Sequence, residues 1–257
     1  MRDQGLEEAI RAAGGVSELA RRLGISQPSV SNWDRVPAER VLSVEAATGV
    51  AREVLRPDLF DARADRSIDE VDSARAQEYA LLATLLARSP DAQLLGRLIR
   101  LGGDATALGI AHKALGEAAA KVDAERVARE YFDLFVGLGR GELLPYGSYY
   151  LTGFLYERPL ARLRGDLKRL GIDQSEQQSE PEDHVAILCE IMARLAGGEI
   201  EAQAGADREI FEKHMAPWIG RFFSDLERSQ TAQFYACVGA LGRTFVEIET
   251  EAFALPS

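Results

Sequence analysis

The sequence has little of what would cross-link a chain, anchor it in a bilayer or arm it for catalysis. Its 257 residues include two cysteines and three histidines. No apolar run approaches the ~20 residues that cross a bilayer, so membrane insertion is not expected. Cys189 and Cys237 each sit within an apolar helical pattern, without CxxC spacing or a neighbouring cluster of ligands. That excludes a disulfide framework, argues against a zinc site and makes both core candidates. The opening stretch MRDQGLEEAI carries acids where an export signal would need basic residues and then an apolar segment, so a cytoplasmic location is expected. Positive charge is also short, with 30 Lys and Arg against 41 Asp and Glu and a net charge of -11. Such a surface repels nucleic acid and favours cationic ligands. Residues 1–60 hold eight Arg against nine acids, so nearly all the excess acidity belongs to the rest of the chain.

What is present is helix. Tyr79, Leu82, Leu86 and then Leu94, Leu95, Leu98 recur at spacings of three, four and seven, and strand-like alternation is missing. The expected class is all-α in two parts: a small domain over 1–60, a linker at 61–70 (DARADRSIDE) and a larger helical domain over 71–257. A second polar stretch, GIDQSEQQSEPED at 171–183, reads as a long loop within the larger domain.

VSELARRLGISQPSVSNW, from Val16 to Trp33, has the grammar of a helix-turn-helix. Ala20 lets two helices approach, Gly24 supplies the turn, Ile25 plugs the core and Ser26 caps the next helix. Pro28 falls in that helix's first turn, while Val30 and Trp33 face inward. Gln27, Ser29, Ser31 and Asn32 then form a short polar face suited to reading base edges, with Arg35 near a phosphate. Together with VPAERVLSVEAATGVAREVLRPDLF, the segment resembles the Cro-like YdaS-type repressors over about 60 residues. The resemblance implies a five-helix domain that docks its second motif helix in the major groove, usually as a homodimer. Because the segment carries no net positive charge, two readings stand: a DNA reader, or a docking or dimerisation element.

In the larger part, eight of the 19 aromatic residues fall between Tyr131 and Tyr156. Tyr131, Phe132 and Phe135 share a helical pattern with Val127, Leu134 and Leu138 and are read as core. Tyr146 and Tyr149 lie in a Gly- and Pro-punctuated segment, where a binding groove and the core are both open. Further on, Ser179 and Glu182 have capping-box spacing around Pro181, so a helix is expected to begin there. His184 would then lie on its apolar face with Ile187, Leu188, Ile191 and Leu195. Neither His184 with Asp183 nor any other cluster makes a catalytic triad or a metal site, and neither enzymatic activity nor a cofactor is expected. Gly137, Gly139 and Gly141 read as a loop, His112 and His214 as structural, and Arg158–Leu170 as an amphipathic helix with a solvated cationic face.

EYFDLFVGLGRGELLPYGSYY, EPEDH and HMAPWIGRFFSDLERSQTAQFYACVGAL, in this order, resemble the TorD/DmsD/NarJ family of redox-enzyme maturation chaperones from about Ala74 to Phe253. The resemblance implies an all-helical chaperone that binds the twin-arginine signal peptide and apo form of a molybdenum- or tungsten-cofactor oxidoreductase. Its peptide-binding region maps onto Pro145, Tyr146, Ser148 and Tyr149 and onto Asp183 and His184. Chemistry fits: Glu180, Glu182 and Asp183 suit guanidinium groups, and Tyr146, Tyr149 and Phe154 suit the apolar stretch that follows. The competing class is a transcription regulator whose helical domain senses a peptide or small ligand.

Overall fold

The computed structural model describes residues 3–57, 70–172 and 180–255, and the chain divides into two compact units, Met1–Asp69 and Glu70–Ser257. Among the described residues every regular element is helical. None of those helices is long and apolar enough to cross a membrane. The linker expected at 61–70 lies outside the described residues except for Glu70.

In the small unit α1 (Gln4–Ala13) starts where the Asp3 carboxylate accepts the Gly5 N–H at 2.7 Å. Next come α2 (Val16–Leu23) and α3 (Gln27–Ser31), joined through Gly24 at φ +68°, a left-handed conformation that glycine adopts without penalty. The Ser26 hydroxyl oxygen accepts the Ser29 N–H and so starts α3, with Pro28 in its first turn. A 3-10 turn at Ala38–Arg40 leads into α4 (Val41–Thr48), and α5 (Arg52–Leu55) follows. Leu6, Leu19, Val30, Val36, Val41, Val44 and Leu55 form the fully buried centre, with Ile25 and Trp33 partly buried against it.

The large unit comprises α6 (Glu70–Ala87), α7 (Ala92–Leu98), α8 (Ala107–Ala119), α9 (Ala124–Tyr131), α10 (Gly147–Thr152), α11 (Arg158–Arg169), α12 (Val185–Ala196), α13 (Ala206–Ile210), α14 (Ile219–Arg228) and α15 (Phe234–Ala254). α12 packs along α6, and α15 packs on both α14 and α8. Their shared core includes Tyr79, Leu82, Leu86, Leu95, Leu98, Cys189, Trp218, Phe222 and Phe223. Each such large side chain contributes about 1.5–3 kcal/mol through burial.

Two buried carboxylates fix the packing. Glu130 accepts the N–H groups of Gln233 (2.7 Å), Phe234 (3.3 Å) and Tyr235 (2.7 Å), satisfying donors that the start of α15 would otherwise leave unpaired. Glu249 takes Arg75 (2.9 and 3.0 Å) and the Tyr79 hydroxyl (2.8 Å), tying α15 to α6.

Two sequence expectations are corrected here. Phe132, expected in the core, is 40% exposed, and Leu138, expected on the same helix, is 97% exposed beyond its end. α9 passes at Phe132 into a π-helical turn, Phe132–Val136, whose wider turn shifts the register, and Gly137 at φ +63° ends it before Leu138. The capping box at 179–182 does not start a helix. α12 begins at Val185, with His184 as its N-cap, and Pro181 to Asp183 form the turn before it. A histidine ring already supplies the acceptor that the box was expected to provide; Ser179, with all of 173–179, lies outside the described residues.

Candidate functional site

The two motif segments, separated by about 35 residues of chain, meet as a short antiparallel pair. Tyr146 and His184 form an isolated bridge. The Gly147 N–H donates to the Asp183 carbonyl at 2.9 Å, and the Val185 N–H donates to the Pro145 carbonyl at 2.8 Å. Asp183 Oδ2 then accepts the Ser148 N–H at 2.7 Å, holding the first turn of α10. Asp183 is only 3% exposed, and its Oδ1, like the Ser148 hydroxyl, is buried without a partner among the described residues. Space is tight at Gly147: a Cβ there would lie 3.0 Å from the Trp218 indole nitrogen. That nitrogen donates to the His214 carbonyl at 2.7 Å, while His214 Nε2 and Asp166 Oδ2 pair at 2.9 Å. His214 thus supports the wall, and His112 pairs with Glu78 elsewhere in the unit.

His184 is buried. Its Nδ1 accepts the Ala186 N–H at 3.1 Å, which requires that nitrogen to be unprotonated. Burial lowers its pKa to about 4, against the opposing pull of Glu180 and Asp183. The ring is therefore neutral near pH 7, and it stands edge-to-face with Tyr146 at 5.0 Å. Tyr146 is half-buried and donates its hydroxyl to Glu180 Oε2 at 2.7 Å; burial and then this bond raise the phenol's pKa. Glu182 faces α11 and forms a forked pair with Arg164.

Pro145, Tyr146, Ser148, Glu180, Glu182, Asp183 and His184 are thus gathered around one bridge. Tyr149 lies on α10, where Arg140 covers its ring. Phe154 is 69% exposed, in a run whose other apolar side chains, Leu151, Leu155 and Tyr156, are also exposed. Tyr156 has φ +60°, the left-handed conformation that non-glycine residues seldom hold. Beside the bridge opens a cleft of about 390 Å³, whose lining includes Gly147, Leu151, Leu163 and Asp183 together with the cationic Arg162 and Lys213. Sequence reasoning missed Arg140, Arg164 and Trp218, for which no local pattern gives a signal. In the small unit Gln27, Ser29, Asn32 and Arg35 are exposed and Ser31 is half-buried. Gln27 donates to the Ser31 hydroxyl at 2.9 Å.

The described part of the large unit is thus an all-helical frame with a cleft beside a paired aromatic and acidic segment. Comparison with known proteins narrows the class. Residues 102–224 match the nitrate reductase delta subunit family, and residues 6–64 match the bacterial toxin YdaS family. Chaperone protein TorD of Vibrio cholerae is 27% identical over 194 residues, covering 71% of this chain and 83% of that protein. The "Probable Tat proofreading chaperone DmsD" of Haemophilus influenzae is 26% identical over 132 residues, covering 51% and 63%. A solved structure described as a "Putative Redox Enzyme Maturation Protein" from Archaeoglobus fulgidus is 24% identical, covering 67% of this chain and 93% of that one, with a TM-score of 0.47. The chain therefore joins a segment similar to YdaS to a longer one similar to the TorD/NarJ-type maturation chaperones, and these relatives are named as chaperones and not as enzymes.

Proposed function

We propose that the large unit is a cytoplasmic maturation chaperone that binds the twin-arginine signal peptide of a molybdenum- or tungsten-cofactor oxidoreductase and holds the apoenzyme before export. The observation that carries this reading is the bridge between Tyr146 and His184, which brings an aromatic strip and an acidic turn to one wall. A signal peptide of this type presents a guanidinium pair and then an apolar stretch. Carboxylates at the turn suit the first, and Tyr146, Tyr149 and the exposed Phe154 suit the second. The excess acidity of the chain beyond residue 60 favours such a cationic ligand over long range. The test is co-purification of the full chain with a redox-enzyme precursor whose signal peptide carries either its arginine pair or two lysines. Retention of the first and loss of the second is expected, and equal retention of both contradicts the reading.

The small unit, with domain limits at 1–60 and a linker at 61–70, is proposed as a regulatory module that binds DNA through α3, as a homodimer. Its support is the exposed polar face of Gln27, Ser29 and Asn32 with Arg35 close in sequence, together with the match to the YdaS family. The alternative, a transcription regulator whose helical unit senses a peptide or small ligand, uses the same face. Mobility shifts with the gene's own upstream DNA test this half, and a shift that is absent or insensitive to salt contradicts it.

A further inference from the structure

Two groups of the proposed peptide site, Glu182 for a guanidinium and Tyr149 for the apolar stretch, already hold arginines of the chain itself. Glu182, its side chain 7% exposed, receives Arg164 through Nε at 2.9 and 2.8 Å and through Nη2 at 2.8 Å. The Arg164 side chain is 52% exposed, so its outer face is in water. On the other strip, Arg140 donates to the Tyr149 hydroxyl at 2.6 Å, and its guanidinium carbon lies 5.3 Å from the centre of that ring. A fork on a carboxylate and a cation over a phenol ring are the two contacts that guanidinium makes better than ammonium.

We infer that Arg164 and Arg140 are place-holders that cover Glu182 and Tyr149: a bound peptide displaces both, a guanidinium of its arginine pair taking Glu182 and its apolar stretch taking the Tyr149 ring. The inference rests on the peptide-binding reading above and adds a specificity device to it. A carboxylate as enclosed as Glu182 needs a compensating cation at all times, because removing one partner of a buried pair is strongly destabilising. Arg164 supplies that cation and, standing on the exposed face of α11, leaves for water at small loss. Exchange of one guanidinium for another preserves the forked bonds. A lysine cannot reproduce the fork, so a lysine-bearing ligand meets the full strength of the internal pair. The place-holders therefore weaken all binding somewhat and weaken binding of the wrong cation most.

The test is fluorescence anisotropy on the full chain with two labelled synthetic peptides, one with an arginine pair ahead of an apolar stretch and one with lysines in its place. Arg164→Lys keeps Glu182 paired but removes the fork, and Arg140→Ala alters an exposed side chain, so at least one variant folds; circular dichroism checks both. Each variant is expected to bind the arginine peptide roughly fivefold more tightly than the unmodified chain (about 1 kcal/mol). In Arg164→Lys the preference for arginine over lysine should narrow at the same time. Equal or weaker binding by both variants, with the unmodified chain still binding the arginine peptide, overturns the place-holder inference alone. No binding of the arginine peptide by the unmodified chain overturns the peptide-binding reading and this inference with it.

Discussion

Acidification should weaken the large unit through His184, by an amount that follows from its position. The ring caps α12 with Nδ1 as acceptor, so protonation removes an acceptor and places a cation at a helix N-terminus, where the dipole is unfavourable to it. A histidine whose folded pKa lies near 4 instead of 6.5 favours the folded state only while neutral. Its contribution is fully present above about pH 6.5 and declines as pH falls toward 4. Between about pH 7 and pH 4.5 the loss amounts to about 2 kcal/mol, with a limit near 3 kcal/mol below the folded pKa. The measurement is a difference between two proteins. Urea denaturation of the parent and of His184→Asn, which caps equally well and does not titrate, is compared at both pH values. Trp218 fluorescence in a Trp33→Phe background reports on the large unit alone, since each unit holds one of the two tryptophans. The parent should lose about 2 kcal/mol more than the variant on acidification. Parallel losses in the two proteins would refute the buried, neutral, capping histidine.

Two further outcomes follow from the packing. Glu130→Ala removes the acceptor of three backbone donors at the start of α15 and should destabilise the large unit by about 2–4 kcal/mol in urea denaturation. A loss under about 0.5 kcal/mol, the scale of an ordinary surface change, would show that those donors have other partners. Gly147→Ala should displace the Trp218 indole from the His214 carbonyl, shift its fluorescence and cost about 1–3 kcal/mol by overpacking. An unchanged emission spectrum would contradict the close approach of α10 to Trp218.

What could be read from the sequence is what is encoded within a few residues. Gly24, Ser26, Pro28 and Val30 occupy one short window and specify a turn, a cap and an inward face, and the structure uses each as expected. The spacing of Tyr79, Leu82 and Leu86 likewise follows from helical geometry alone, and all three are buried. Where a local rule had a competitor the reading failed. Phe132 obeys α-helical spacing, but a π-turn breaks the period there, and no residue pattern announces it. The serine and glutamate around Pro181 have capping spacing, yet His184 caps instead and Glu182 turns to Arg164 on another helix. The wall of the candidate site depends on partners distant in sequence: Arg164 with Glu182, Trp218 against Gly147, Asp183 on the Ser148 amide. Each is fixed only once the helices are packed.

Calorimetric titration of the full chain with a synthetic twin-arginine signal peptide bears most directly on the central claim, that the paired strips at Tyr146 and His184 form a peptide site. Binding at one site per chain is the result the account predicts. Asp183→Ala or Tyr146→Ala should weaken it by about tenfold or more, corresponding to at least 1.4 kcal/mol. Titration of the unmodified chain without heat of binding, or variants that bind as tightly as the parent, would contradict it.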